Sequence, residues 1–189
     1  MAYLENNITV GKNQSRKLVL LDDSSHLQSN EEQCDIVMEE NSTLELYRIQ
    51  NLNDDSKLTT HINIKQAANS SVHFVIVTFN TGFVQNNINV DLNGEGADLQ
   101  IYGLYILDKK QHVENLMKIN HNVPNCSSNE KFKGTLKSDS NNEKMGWASF
   151  AYNKGEMRDG ARYRSRSGIV GYDLKLTENK VLGLRDHPL

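Results

Sequence analysis

The ten residues FVQNNINVDL, positions 83–92, decide the fold class. Within them Ile88, Val90 and Leu92 alternate with Asn87, Asn89 and Asp91, which gives one apolar and one polar face at a period of two. That is the pattern of a half-buried β-strand. The same texture continues on both sides, in TLELYRIQ, TTHINIKQ, VHFVIVTF, ADLQIYGLYIL and QHVENLMKINH, all rich in Ile, Val, Tyr and Phe. Polar turn clusters separate them: NLNDDS (51–56), AANSS (67–71), NTG (80–82), NGEGA (93–97) and DKKQ (108–111). They recur about every 11 to 15 residues, the rhythm of an all-β chain with no room for long helices. VHFVIVTF is apolar on both faces and calls for cover on both.

The totals agree with a thin, layered core. The chain has 189 residues, enough for one domain, with 37% hydrophobic and 7% aromatic side chains. A formal charge of −3, from 21 basic and 24 acidic side chains, supplies no field that would gather nucleic acid or anionic lipid. The longest apolar run near the N-terminus is LVLL, far too short for a membrane span or a signal-peptide core, so the expectation is a soluble cytoplasmic protein. Cys34 and Cys126 lie far apart with no CxxC pair, which suits two reduced thiols better than a disulfide framework or zinc module.

A row of short strands can close as a sandwich, a barrel or a β-solenoid, and periodicity does not choose among them. Asparagine tilts the choice toward the solenoid, although exposed polar strand faces would account for it as well. Asn63, Asn87, Asn89 and Asn115 sit inside strands, where β-propensity disfavours them, and stacked coils tolerate such residues because amides at equivalent positions can bond in ladders. Residues 1–42, with the runs KLVLLDD and CDIVMEE around the polar connector SSHLQSNEEQ, are expected as an irregular entry segment, and 43–136 as the β-core.

His112, His121 and Cys126 are the weak candidates for metal ligation. If QHVENLMKINH is one strand, His121 shares a face with Val113, Asn115, Met117 and Ile119, whereas His112 lies on the other with Glu114. The two imidazoles then point apart and cannot hold one ion without a bulge or a second chain. Cys126 follows Pro124 in a turn, where a thiol is either activated by backbone N–H groups or buried and inert.

The string GEGADLQIYGLYILDKKQHVENLMKINHNVPNCSSNEKFKGTL (94–136) resembles the core signature of the SufB/SufD family of iron–sulfur cluster assembly, and within it SufD more closely. The match runs through Gly94, Gly96, Gly103 to Tyr105, Asp108, Gln111, His112, His121, Pro124, Cys126, Ser128 to Glu130, Lys133 and Gly134. Residues 44–92 resemble the coils that precede that signature. The resemblance implies an all-β, right-handed parallel β-helix. It implies a noncatalytic scaffold or accessory role beside a SufB-like subunit and a SufC-like ABC ATPase, with an iron–sulfur cluster held transiently by the complex. It also makes His112, His121 and Cys126 parts of a coil signature, structural rather than ligating.

Beyond Leu136 the resemblance fades, and 137–189 is expected as a divergent tail, in which the family's later Cys/His-before-Gly motif and C-terminal helical region have no counterpart. A stack cut there exposes a strand row, so the tail must fold over it as a cap, or a SufB/SufD-type partner or a second copy must cover it. Arg158, Arg162, Arg164 and Arg166 in the tail read as a solvated surface beside Glu156 and Asp159 or as a phosphate site. No GxxxxGK[ST] loop is present, so ATP hydrolysis would belong to a partner. Two other readings remain: a carbohydrate-binding or carbohydrate-active β-solenoid, with Asp54, Asp55, Glu95 and Asp98 as its acids, and a degenerate truncated paralogue without activity.

Overall fold

The computed structural model describes residues 7–24, 30–108, 111–137, 147–153 and 162–169. They form twelve strands: β1 (Asn7–Val10), β2 (Ser15–Ser24), β3 (Asn30–Met38), β4 (Thr43–Leu52), β5 (Lys57–Gln66), β6 (Ser71–Phe79), β7 (Phe83–Leu92), β8 (Asp98–Asp108), β9 (His112–His121), β10 (Ser127–Lys137), β11 (Trp147–Asn153) and β12 (Arg162–Ile169). Odd-numbered strands make one six-stranded sheet, in the order β1-β3-β5-β7-β9-β11, and even-numbered strands the other, from β12 down to β2. Every pairing is parallel. Each coil thus contributes one strand to each sheet, which is a flattened β-solenoid. Ser15 pairs with Thr43, Thr43 with Ser71, Ser71 with Asp98 and Asp98 with Ser127, steps of 28, 28, 27 and 29 residues. Sandwich and barrel are thereby excluded.

The stack starts earlier and runs later than the sequence suggests. Within the entry segment 1–42, β1, β2 and β3 pair in the same two sheets, and Asn30 to Gln33 of the polar connector open β3. Polar residues hid these strands because only one face of each is inward. Beyond Leu136, β11 lies on β9 and β12 on β10, each one step further along its sheet. Of the tail, residues 147–153 and 162–169 are described, and Arg158 falls outside the described residues.

Alternation decides burial. In β4, Leu44, Leu46, Arg48, Gln50 and Leu52 point inward, and in β7, Val84, Asn86, Ile88, Val90 and Leu92 do so. Two apolar clusters result, a large one that includes Ile36, Leu46, Ile64, Phe74, Val90 and Ile101, and a smaller one of Leu52, Leu58, Val84, Tyr105, Leu107 and Val113.

Asparagine solves the corners. Asn13, Asn41, Asn69 and Asn125 have φ of 58°, 56°, 54° and 59°, each at the equivalent place in its coil, and Gly96 takes that place in the coil between the last two with φ 75°. Asparagine and glycine are the residues that enter this left-handed region most cheaply. Asn41 Nδ2 donates to Asn13 Oδ1 at 3.1 Å, so the corner is also stitched from coil to coil. The expected ladders appear on the outer strand faces too: Asn89 donates to Asn63 at 3.0 Å, and Asn63 to Asp35 at 2.7 Å.

Candidate functional site: the coil signature and the polar spine

The signature residues of 94–136 occupy successive coils, and most of them are explained by contact with the coil next to them. Gly103 pairs with Phe132, and a Cβ at Gly103 would lie 2.1 Å from the Phe132 ring. Two residues on, the sizes reverse: Gly134 pairs with Tyr105, and a Cβ there would lie 1.7 Å from that ring. Each aromatic therefore lies in the space its glycine partner leaves, as dense packing requires. Burial pushes the Tyr105 phenol up to about 12. Gly94 passes so close to the coil below that a Cβ would meet the Ala68 nitrogen at 2.0 Å. Gln111 is buried, and its Nε2 donates to Asp54 Oδ1 at 2.7 Å, a bond spanning 57 residues of sequence.

The three candidate ligands are not brought together. His112 starts β9 on the outer face, with Nε2 3.2 Å from Glu114 Oε1 and its ring edge-on to Phe83 at 5.0 Å. Partial burial lowers its pKa, against the opposing pull of Glu114. His121 closes the same strand on the inner face, fully buried, nine residues away and so roughly 30 Å along an extended chain. Its Nε2 pairs with Ser128 Oγ at 3.0 Å, its Nδ1 has no hydrogen-bond partner among the described residues, and burial lowers its pKa.

Cys126 is buried at the corner, where Sγ donates to Gly94 O at 3.3 Å and, less closely, to Pro124 O at 3.6 Å. By register it stands above Ala97, Ser70 and Ser42. Ser42 Oγ donates to Glu39 O at 2.6 Å and Ser70 Oγ to Ala67 O at 2.8 Å, so the thiol fills a place where earlier coils use a hydroxyl to tie the turn. Burial raises its pKa, which holds it as a thiol rather than a nucleophilic thiolate. Among the described residues no three His, Cys, Asp or Glu side chains are grouped to hold a metal ion.

Sequence reasoning missed a polar spine inside the solenoid. Asn86 Oδ1 accepts from Gln50 Nε2 and from Thr60 Oγ1, each at 2.9 Å. Its Nδ2 donates to Asn115 Oδ1 at 2.9 Å and to Gln50 Oε1 at 3.2 Å, and Thr78 Oγ1 donates to Gln50 Oε1 at 2.6 Å. All five side chains are buried. Nearer β2, Arg48 is fully buried, with Nε on Asp22 at 2.7 Å and Nη2 on Glu32 at 2.6 Å. The signal was present in the alternation, since Arg48, Gln50, Asn86 and Asn115 all fall in phase with the apolar residues of their strands.

The acids of the carbohydrate reading serve the corners. Asp54 accepts from Gln111, Glu95 from Asn125 at 3.5 Å, and Asp98 from Gln100 at 3.2 Å and from Ser127. Arg162, Arg164 and Arg166 lie in β12, paired with Ser127, Asn129 and Lys131.

Fold and site together define a β-solenoid whose sequence signature builds its coils. The family model described as SUF system FeS cluster assembly, SufBD core domain, matches residues 1–153, and the chain belongs to this family. It is 37% identical over 65 residues to an iron–sulfur cluster assembly SufBD family protein of Mycobacterium leprae, covering 34% of this chain and 17% of the relative. Against a protein of the same description in Mycobacterium tuberculosis the identity is 30% over 101 residues, 46% of this chain and 25% of the relative. With the iron–sulfur cluster assembly protein SufD of Plasmodium falciparum it is 28% over 99 residues, 52% of this chain and 7% of the relative. The matches thus span a quarter or less of those relatives' own length. No solved structure matches.

His121 leads to a pH prediction. Its folded pKa lies below the ordinary value of 6.5, so the neutral ring belongs to the native state and protonation favours the unfolded chain. Its contribution is fully present above about pH 6.5 and is lost as pH falls toward the lowered folded value. Urea denaturation from pH 7.5 down to pH 5 should show stability declining with acid, and His121→Gln should make that decline shallower. An unchanged slope in the variant would show that His121 is not held neutral.

Proposed function

We propose that this chain is a noncatalytic scaffold or accessory component of iron–sulfur cluster assembly, SufD-like in role. The observation that carries the reading is the coil signature: Gly94, Gly103, Tyr105, Cys126, Phe132 and Gly134 are accounted for by packing and turn closure between adjacent coils. Family membership supports the pathway, and SufB-like and SufC-like subunits are the partners proposed from it. The cluster is cargo of the assembled complex in this reading, and nucleotide hydrolysis belongs to the ATPase partner. A second copy of the chain is the alternative partner at an open strand row.

The proposed compartment is the cytoplasm; among the described residues no helix is long and apolar enough to cross a membrane. Nucleic acid is not a proposed partner at a formal charge of −3. Coexpression of the tagged chain with the SufB-like and SufC-like proteins of the same organism tests the reading. Stoichiometric recovery of both on the tagged chain is expected, and recovery of the tagged chain alone would contradict it.

A further inference from the structure

The two sheets differ on their outer faces. The β5, β7 and β9 faces are mostly polar, with Asn63, Lys65, Asn89 and Lys118 around the half-buried Phe83 and Leu116, and Val37 of β3 is an isolated exposed aliphatic on the same sheet. The face of the other sheet is apolar in two adjacent rows that cross four strands, between a polar row of Lys17, Glu45, His73 and Gln100 and a mixed margin. Register aligns Val19, Tyr47, Val75 and Tyr102 in one row and Leu21, Ile49, Val77 and Leu104 in the next, with Phe79 beside Ile106 at the margin. Val19, Leu21, Leu104 and Ile106 are 56%, 58%, 42% and 51% exposed. Such outward aliphatics on consecutive strands are what the doubly apolar VHFVIVTF anticipated, and a contiguous patch of this kind marks a contact surface.

We infer that this face is the docking site for an amphipathic helix of a partner protein, apolar along one stripe and acidic at its flank. Size and charge select that occupant. Four strands about 4.8 Å apart, with two outward apolar residues on each of β2 and β4 and three on each of β6 and β8, make a patch roughly 15 Å across the strands and about 7–13 Å along them. That area, on the order of a few hundred Å2, is well short of the about 800 Å2 per partner that a stable dimer of sheet faces needs. It matches about three turns of one helix, which is about 10 Å wide. Charge sets the flank. The next strand, β10, continues the same two rows with exposed Lys131 beside Tyr102 and exposed Lys133 beside Leu104. An apolar floor with a basic border attracts a helix with aliphatic and acidic residues.

The test uses two synthetic 18-residue helical peptides with the same leucine stripe, one flanked by glutamates and one by lysines, titrated against the whole chain by fluorescence anisotropy. Saturable binding of the glutamate peptide is expected, at least about tenfold tighter than the lysine peptide. Leu104→Ser with Ile106→Ser, both exposed and so tolerated by the fold, removes apolar contact without adding charge and should weaken it about tenfold or more. Lys131→Glu with Lys133→Glu should reverse the preference between the peptides, a readout that does not depend on the apolar variant. Equal binding of both peptides, no binding of either, or binding that survives the Leu104/Ile106 change would overturn the inference. So would a concentration-dependent dimer, or sedimentation with phosphatidylserine vesicles, that the Leu104/Ile106 change abolishes, since the face would then serve a second copy or a membrane.

Discussion

Arg48→Ala is expected to cost about 3–5 kcal/mol of folding stability, the range for removing one partner from a buried ion pair. Arg48 is inside the solenoid at 0% side-chain exposure, and its two contacts, 2.7 Å to Asp22 and 2.6 Å to Glu32, come from opposite sheets. Truncation removes the buried cation that joins two largely buried carboxylates from opposite sheets, which is a desolvation cost as well as a lost contact. The complementary experiment replaces the whole group. Arg48→Met with Asp22→Leu and Glu32→Leu removes every charge at once and should recover most of the loss, because the pair's own attraction barely repays its burial. Urea denaturation of the three proteins reads both results. A single variant within about 0.5 kcal/mol of the parent, the level of an unremarkable surface change, would show that Arg48 is not closed in by the coils as described.

Asn86→Leu should be nearly as damaging, at about 3 kcal/mol. The residue makes four side-chain hydrogen bonds, to Gln50 twice, Thr60 and Asn115, and leucine of similar volume replaces none of them. Each buried group left without a partner costs about 1–3 kcal/mol, partly offset by the added apolar burial. Because the bonds link β4, β5, β7 and β9, the spine also fixes how the two sheets slide against each other. The variant should accordingly unfold over a broader denaturant range, with a lower slope, as well as at a lower midpoint. A stability loss below about 1 kcal/mol would place Asn86 outside a closed network.

These two residues show how far the sequence could be read. Alternation in FVQNNINVDL was enough for strands, and asparagines inside strands were enough to favour stacked coils, because both are local properties of the chain. Asn63 and Asn89 were legible as ladder members, and they do bond to each other and to Asp35. Asn115 was placed on the apolar face of its strand, yet its partner Asn86 lies 29 residues earlier and could be found only once the coil length was known. Arg48 was harder still, since its carboxylates sit 26 residues before it on β2 and 16 before it on β3, in a segment taken as irregular. The opposing directions of His112 and His121 followed from strand parity alone. Cys126 did not. Its likeness to Ser42 and Ser70 appears only when register aligns the three corners. The glycines explain themselves by what stands across from them, Phe132 over Gly103 and Tyr105 under Gly134, a fact of the neighbouring coil rather than of the motif.

We propose that the signature holds the coil and that the chain serves cluster assembly as a scaffold, without ligating through His112 or Cys126. The direct test is iron and sulfide content per complex, measured after anaerobic reconstitution of the chain with its SufB-like and SufC-like partners, for the parent and for Cys126→Ser with His112→Gln. Serine at 126 meets a turn that serine already ties at 42 and 70, so the fold should lose no more than about 1–2 kcal/mol and the partners should still bind. Iron and sulfide are then expected to equal those of the parent complex. A complex that assembles with the same stoichiometry and stability but loses its iron would contradict the account and make these side chains ligands.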